Sequence, residues 1–368
     1  MSPASTGTRM AILVAGATSF GVFIASMASF SEFRVLIARL LGIDSPSGIW
    51  RLVALVSVFL NLKTLPFVWH IRLFRALVYH LYWQPTPLPP RALFQPLITS
   101  TRTPITECDY NLHKSNSTYF SDLDISRSHF VSALLRSGIR RLSSKKTPQD
   151  SAPGTEHVKG AFSIALGGIT CHFKREVKPY ARFEIWTRLL AWDHKWLYLV
   201  SHMVRPGVAK PSSFTLQPWK KPGAQGRRLE ALSQEEQDQM REKLNGAIYA
   251  TSIAKYVVKK GRWTVAPELV LRNSGLLPKK KDDSAASDHE LKTAEEKQDA
   301  DNVLEDSALP ADANADAGEW TWEHVEAERQ RGLKLAEHFA ALDGLHDEFA
   351  LKVDDALGEF SDMVTPFW

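Results

Sequence analysis

Glu107-Cys108-Asp109-Tyr110-Asn111-Leu112-His113-Lys114-Ser115-Asn116-Ser117-Thr118-Tyr119 is the stretch on which the reading of this chain turns. Asp109 followed by Asn111 is turn chemistry, because short polar side chains of this kind hydrogen-bond the backbone two residues on. Ser115 and Asn116 then offer oxygens suited to capping a helix. Beyond them Tyr119, Phe120, Leu123, Phe130, Val131, Leu134 and Leu135 recur at helical spacing, which places one apolar stripe on one face. Gly138 lies where a C-cap belongs. The spacing predicts one helix over 116–137 with a buried face.

Downstream the period changes. Residues 139–158 are polar and basic and read as a loop. Phe183, Ile185, Thr187 and Leu189 alternate with Arg182, Glu184, Trp186 and Arg188, the pattern of a half-buried strand. Trp196 to Val204 is a second β-rich run, and Trp192-Asp193-His194-Lys195 between them reads as a hairpin turn. Residues 206–245, rich in Pro, Gly and charge, form an insertion. Ala247 to Val258 is a further strand. A short strand, one long helix and then a run of antiparallel strands is an α+β order.

The N-terminal part differs in kind. Met10 to Ser31 is 22 residues without a charge, long enough to cross a bilayer as a helix. A secretory signal peptide is the competing reading, because Ala25-Ser26-Met27-Ala28 contains small residues; the run exceeds the usual h-region. A second apolar stretch, 52–71, is interrupted by Lys63 and Pro66 and stands as a possible second span. Residues 72–83 mix basic and aromatic side chains, which suit a membrane interface. Residues 1–84 thus read as a membrane anchor and 85–100 as a Pro-rich connector. Residues 101–275 read as the folded domain, and 279–318 as an acidic linker without an apolar period. Residues 319–368 form a C-terminal helical segment, in which Val325, Leu333, Leu335, Phe339 and Leu342 carry the spacing.

Asp109 through Tyr119 resembles the superfamily of 4-hydroxybenzoyl-CoA and acyl-ACP thioesterases. There an Asp precedes a Gly- or Asn-containing turn, often a His, and then Asn-Asn-x-x-Tyr at the head of a central helix. Phe173-Lys174-Arg175-Glu176 and Trp186 through Asp193 are similar to the branch called thioesterase superfamily member six, which also carries an N-terminal membrane segment. The resemblance spans 100–205 and 245–275, with a weaker echo at Glu328-Arg329-Gln330-Arg331-Gly332-Leu333. It implies a hotdog fold, an antiparallel sheet wrapped around a central helix. It also implies an acyl-thioester substrate, no cofactor, and a homodimer with the site between protomers. Onto this chain it carries Asp109, His113 and Asn116 as catalytic residues, with Ser117, Tyr119, Asp124 and Arg127 binding substrate. The usual His-Met/Val-Asn-Asn is here His113-Lys114-Ser115-Asn116.

Thioester hydrolysis needs a nucleophile or an activated water and donors for the developing oxyanion. Asp109 offers a carboxylate for either role. The helix beginning near Asn116 offers free N–H groups and the positive end of its dipole. His113 could orient water or the carbonyl. The plainer roles are turn residue for Asp109, N-cap for Asn116 and polar helix residue for Asp124. A non-catalytic hotdog scaffold that binds acyl chains or proteins, and a hotdog dehydratase, are the alternative functions.

Charge narrows the field further. The net charge of +4 over 368 residues sums unlike parts: 1–106 holds only Glu32 and Asp44 as acids, while 282–318 holds twelve acids and two lysines. No clustered basic face argues for nucleic acid. Cys108 and Cys171 make no disulfide framework or metal-ligand spacing. Asn116-Ser117-Thr118 is the one glycosylation sequon; modification there would block the site. A cytosol-facing domain on the endoplasmic reticulum membrane is the expectation, with a mitochondrial membrane as the alternative.

Overall fold

Among the described residues six strands pair antiparallel: β1 Leu97–Arg102, β2 Phe162–Phe173, β3 Arg182–Trp192, β4 Trp196–Val204, β5 Ile248–Lys260 and β6 Trp263–Val265. Their order across the sheet is β1-β3-β4-β5-β2, with β6 beside the end of β5. The helices are α1 Gly48–Leu60, α2 Val68–Val78, α3 Asn116–Ser144, α4 Gln234–Gly246, α5 Pro267–Asn273 and α6 Trp322–Ala340. This computed structural model describes residues 48–144, 160–209, 213–220, 233–278 and 320–346, with Ser31, Val35, Ala38, Arg39 and Pro211. The apolar run 10–31 (apart from Ser31), the acidic linker 279–318 and the segment 347–368 lie outside these. Two compact units are distinguished: 48–68 with 104–106, and 69–103 with the described residues from Glu107 onward.

The α+β expectation holds. The stripe on α3 meets the inward side chains of the sheet. Leu93, Phe130, Val131, Leu134 and Leu135 pack with Leu189, Leu197, Leu199 and Val258 at one end. Tyr119 and Leu123 pack with Val177, Phe183, Ile185, Met203 and Ala250 at the other. Each fully buried side chain of this size stabilises the fold by about 1.5–3 kcal/mol. Between the two clusters the core is polar: Ser126 Oγ lies 2.8 Å from Thr187 Oγ1, which lies 2.8 Å from Ser201 Oγ.

The helix differs from its expected length. It runs through Gly138 to Ser144, so Gly138 is no C-cap. A Cβ at Gly138 would come within 2.2 Å of the Val270 carbonyl oxygen. The glycine allows α5 to lie directly against α3, and Gly138 N donates to Ser274 Oγ at 3.0 Å.

The alternation in β3 is observed through Leu189, after which Leu190, Ala191 and Trp192 are all buried. A register shift between Leu189 and Ala191 and the docking of α6 on the outer face of the sheet account for this. A Cβ at Gly332 would sit 2.1 Å from Leu190 O, so helix and strand backbones approach as closely as they can. Val325, Gly332, Ala336 and Phe339 are the buried positions of α6, whereas Leu335 and Leu342 are exposed. Lys255, almost wholly buried, reaches both oxygens of Asp343 at 2.5 and 2.6 Å. The hairpin turn is as expected: Asp193 Oδ1 accepts from Lys195 N and Trp196 N at 2.7 and 2.6 Å. The insertion contains α4, entered by a capping box of Ser233 and Glu236.

The stretch 52–71 is not one helix. Helix α1 ends at Leu60, a 3-10 turn covers Leu62–Thr64, and Phe67 has a φ of 66° before α2 begins. Pro66 cannot donate to a helical ladder. Among the described residues no helix is long and apolar enough to cross a membrane.

Candidate functional site

The turn before α3 is tied at every level. Ser115 N donates to Glu107 O at 2.8 Å, Asp109 N to His113 O at 2.9 Å, and Leu112 N to Asp109 O at 3.0 Å. Leu112 takes a φ of 58° to close it. Asp109 Oδ1 accepts from Asn111 N at 2.9 Å and from His113 N at 3.4 Å. The turn chemistry read from Asp109-x-Asn111 is therefore present. It uses one carboxylate oxygen; Oδ2 makes no hydrogen bond among the described residues.

His113 Nε2 lies 3.0 Å from Glu176 Oε2. Asn116 is the first residue of α3 rather than its cap, and it and Ser117 are exposed. The first N–H groups of a helix have no intrahelical partner, and those of Asn116 and Ser117 find none elsewhere among the described residues. Tyr119 is buried, its ring edge-on to Phe173 at 5.0 Å. Burial pushes its phenol up to about 12, with Cys171, Tyr249, Glu176 and Asp109 adding in the same direction; the hydroxyl stays protonated.

Asp124 and Arg127 are not part of this group. They lie about 12 and 16 Å along the helix axis from Asn116, at 1.5 Å per residue. Arg127 is buried, donating through Nε to Tyr256 Oη at 2.8 Å and through Nη2 to Asp124 Oδ1. Its Nη1 has no hydrogen-bond partner among the described residues.

Reading the sequence missed the groups beneath the turn. Lys114 is wholly buried, with Nζ 2.6 Å from Glu107 Oε2 and 2.9 Å from Asp122 Oδ2. The other oxygen of Asp122 meets Arg72 Nη2 at 2.9 Å. Two cations and two carboxylates thus alternate under the loop that carries Asp109. The available signal was the lysine standing where an apolar residue is usual, with an acid on either side in sequence. Glu176 was missed as a site residue as well, although it ends the Phe173–Glu176 stretch that carries part of the resemblance. Among the described residues, no three His, Cys, Asp or Glu side chains gather as metal ligands would.

Residues 103–217 match the model of the thioesterase-like superfamily. Thioesterase poxG of Penicillium oxalicum is 35% identical over 327 residues, covering 86% of this chain and 93% of that protein. Probable thioesterase atnL of Emericella nidulans is 35% identical over 326 residues, covering 83% and 90%. Protein THEM6 of Xenopus laevis is 30% identical over 99 residues, 27% of this chain and 39% of that one. A solved 1,4-dihydroxy-2-naphthoyl-CoA thioesterase from Synechocystis covers 49% of this chain and 95% of its own, at 6% identity and a TM-score of 0.30, which adds nothing to the assignment. The match at 35% identity over nearly the whole of two thioesterases does carry it. With its sheet order and the turn that opens the central helix, this chain belongs to the thioesterase-like hotdog superfamily.

Proposed function

We propose that the chain hydrolyses a fatty acyl-CoA or a related acyl thioester at the turn before α3. The observation that carries this reading is the Asp109 carboxylate. One of its oxygens is fixed by two backbone N–H groups, and the other makes no hydrogen bond among the described residues, in the turn that leads into α3. In the nucleophilic version, Oδ2 attacks the thioester carbonyl, the C–S bond breaks, and the sulfur leaves as a thiolate that takes a proton from solvent. Water then cleaves the acyl-aspartate anhydride to release the acid and regenerate Asp109. In the general-base version, Asp109 takes the proton of a water that attacks directly. The N–H groups of Asn116 and Ser117 face the charge that develops on the carbonyl oxygen. His113, held by Glu176, orients the water or the carbonyl, and Tyr119 bounds the substrate on the core side. Asp124 and Arg127 belong to the reading only as supports of the helix.

The reading includes a homodimer, since one edge of β2 has no strand beside it among the described residues and an open edge pairs readily. It also includes a membrane. The apolar run 10–31 is the anchor, and the exposed Ile49, Trp50, Val53, Val56 and Phe59 of α1 suit contact with lipid. The domain then faces the cytosol at the endoplasmic reticulum, with a mitochondrial membrane as the alternative.

The full chain in detergent is to be assayed against acyl-CoA esters of graded length, with Asp109→Asn beside it. Turnover that falls at least about a hundred-fold in the variant is the expected result, on the scale of losing an acid–base catalyst. Equal rates in both proteins sink the role given to Asp109. Saturable binding without hydrolysis at any length favours instead an acyl-binding scaffold, a reading supported by the replacement of two motif positions by Lys114 and Ser115.

A further inference from the structure

A second chemical environment lies on the far side of Asp122. Residues of α2, β1, α3 and β3, with Gly207, Ala209 and the described stretch 213–220, line a cavity of about 970 Å3, within the size range of small-molecule sites. Asp109, His113 and Asn116 take no part in it. Leu97, Ile125, Phe130, Ala133, Ile185 and Leu216 give the cavity an apolar lining. Arg72, Arg75, His80 and His129 line it as well, His129 on the same face of α3 as Ile125 and Ala133.

The histidines are wired in a definite order. Gln84 Nε2 donates to Thr86 O at 2.9 Å, so the amide oxygen is the atom that faces His80 Nδ1, 2.6 Å away. His80 therefore donates from Nδ1 and presents a lone pair at Nε2. That lone pair, 2.9 Å from His129 Nδ1, takes the His129 Nδ1 proton. His129 is left with Nε2 as a hydrogen-bond acceptor, without a partner among the described residues. The carbonyl oxygens of His80 and Gln84 both accept from Arg136 Nη1, at 2.7 and 3.1 Å, which fixes the chain in place. Burial drives His129 down to about 4 and lowers His80 too, so both rings are neutral at neutral pH.

Arg75 makes no hydrogen bond or ion pair among the described residues, and Arg72 is shared with Asp122. Both arginines act electrostatically on His129, so cations and acceptor occupy one end of the cavity. A ligand that satisfies this end carries an anion and, close to it, an O–H donor. A ligand that meets the apolar lining carries an apolar tail as well.

We propose that this cavity binds a small hydroxy carboxylic acid with an apolar tail, its carboxylate on Arg75 and Arg72 and its hydroxyl donating to His129 Nε2. The site is separate from the thioester turn and stands or falls apart from it.

Calorimetric titration of the full chain in nanodiscs with 3-hydroxyoctanoate and octanoate, against empty nanodiscs, tests this. Saturable binding of both acids is expected, the hydroxy acid tighter by roughly five-fold, the worth of one neutral hydrogen bond. His129→Leu should erase that preference. Arg75→Gln, a change at an exposed side chain, should weaken both acids by about ten-fold or more, as for a charge-assisted bond. Ala133→Trp should fill the cavity and abolish binding, while Asp109→Asn should leave it unchanged. Absence of saturable binding, unaltered affinity in Arg75→Gln, or equal affinity for the two acids in the wild-type chain overturns the proposal. So does loss of binding in Asp109→Asn with retention in Ala133→Trp, which would put the ligand at the turn.

Discussion

Replacing Lys114 by Met restores the kind of residue usual at this place in the motif and removes the ammonium from between Glu107 and Asp122. The two ideas of what position 114 does predict opposite outcomes. If the side chain only fills space, a swap of similar volume changes stability by less than about 1.5 kcal/mol. If it is the cation of a buried network, the loss is much larger. Lys114 and Asp122 have wholly buried side chains, and Glu107 is 7% exposed, with contacts of 2.6 and 2.9 Å. Removing one partner of such a pair costs about 3–5 kcal/mol, because the charge left behind has lost its compensation. The ammonium also lies 5.5 Å from the ring centres of Tyr119 and Phe183, contacts worth about 1 kcal/mol together in this setting. We expect Lys114→Met to lose at least about 3 kcal/mol in reversible urea unfolding followed by circular dichroism. Glu107→Gln combined with it should lose less than the sum of the two single changes, by about 0.5–3 kcal/mol. A Lys114→Met protein within about 1 kcal/mol of the wild type would refute the network as the reason for the lysine.

The neutral histidine pair gives a pH signature. His129 is held at about 4 in the folded chain, below its ordinary value of 6.5. Above the unfolded value neither state gains a proton, and the full stability is present. As pH falls from about 6.5 to about 4 the unfolded chain binds a proton that the folded chain refuses, so stability drops; the scale is about 1.4 kcal/mol per unit of displacement. Unfolding measured from pH 7 to 4 should therefore be flatter in His129→Gln than in the wild type, and identical slopes would remove the explanation. Gly332→Ala places a Cβ 2.1 Å from Leu190 O and should loosen α6 from β3 at a cost of about 1–3 kcal/mol. Faster proteolytic cleavage of α6, with the sheet unfolding at an unchanged temperature, is the expected readout.

What could be read from the sequence follows from period. The stripe of α3 and the alternation of β3 bury large side chains at fixed spacing, so the helix, the strand and the hairpin at Asp193 were legible. Where packing depends on small residues, period says little. Gly138 looked like a stop signal because glycine favours the turn that ends a helix; in the fold it is a contact point for α5. In the C-terminal segment Val325 and Phe339 are buried as their spacing suggested, but Leu335 and Leu342 are not; Gly332 and Ala336 complete the buried face of α6, where backbone approach takes the place of bulk. The turn at Asp109 was legible because its hydrogen bonds are local. The ions beneath it were not, since Glu107, Lys114, Asp122 and Arg72 meet only after the chain folds back on itself. The capping box at Ser233 and Glu236 was written in the sequence and was passed over inside a segment read as irregular.

The same four ions separate burial from charge as the source of stability. Arg72 and Lys114 each hold one oxygen of Asp122 at 2.9 Å, but the Arg72 side chain is 24% exposed and that of Lys114 is not exposed at all. Geometry alone would rank them as equal partners. Solvent makes them unequal: where water reaches the pair, it can replace the lost guanidinium, and the contribution falls toward the range of about 0–1 kcal/mol seen for exposed pairs. Arg72→Met should therefore lose about 1–2 kcal/mol, since Asp122 keeps Lys114 as its buried cation. The same urea unfolding measures it. A loss equal to that of Lys114→Met would mean that Asp122 depends on both cations alike, and that the depth of Lys114 is not what makes it matter.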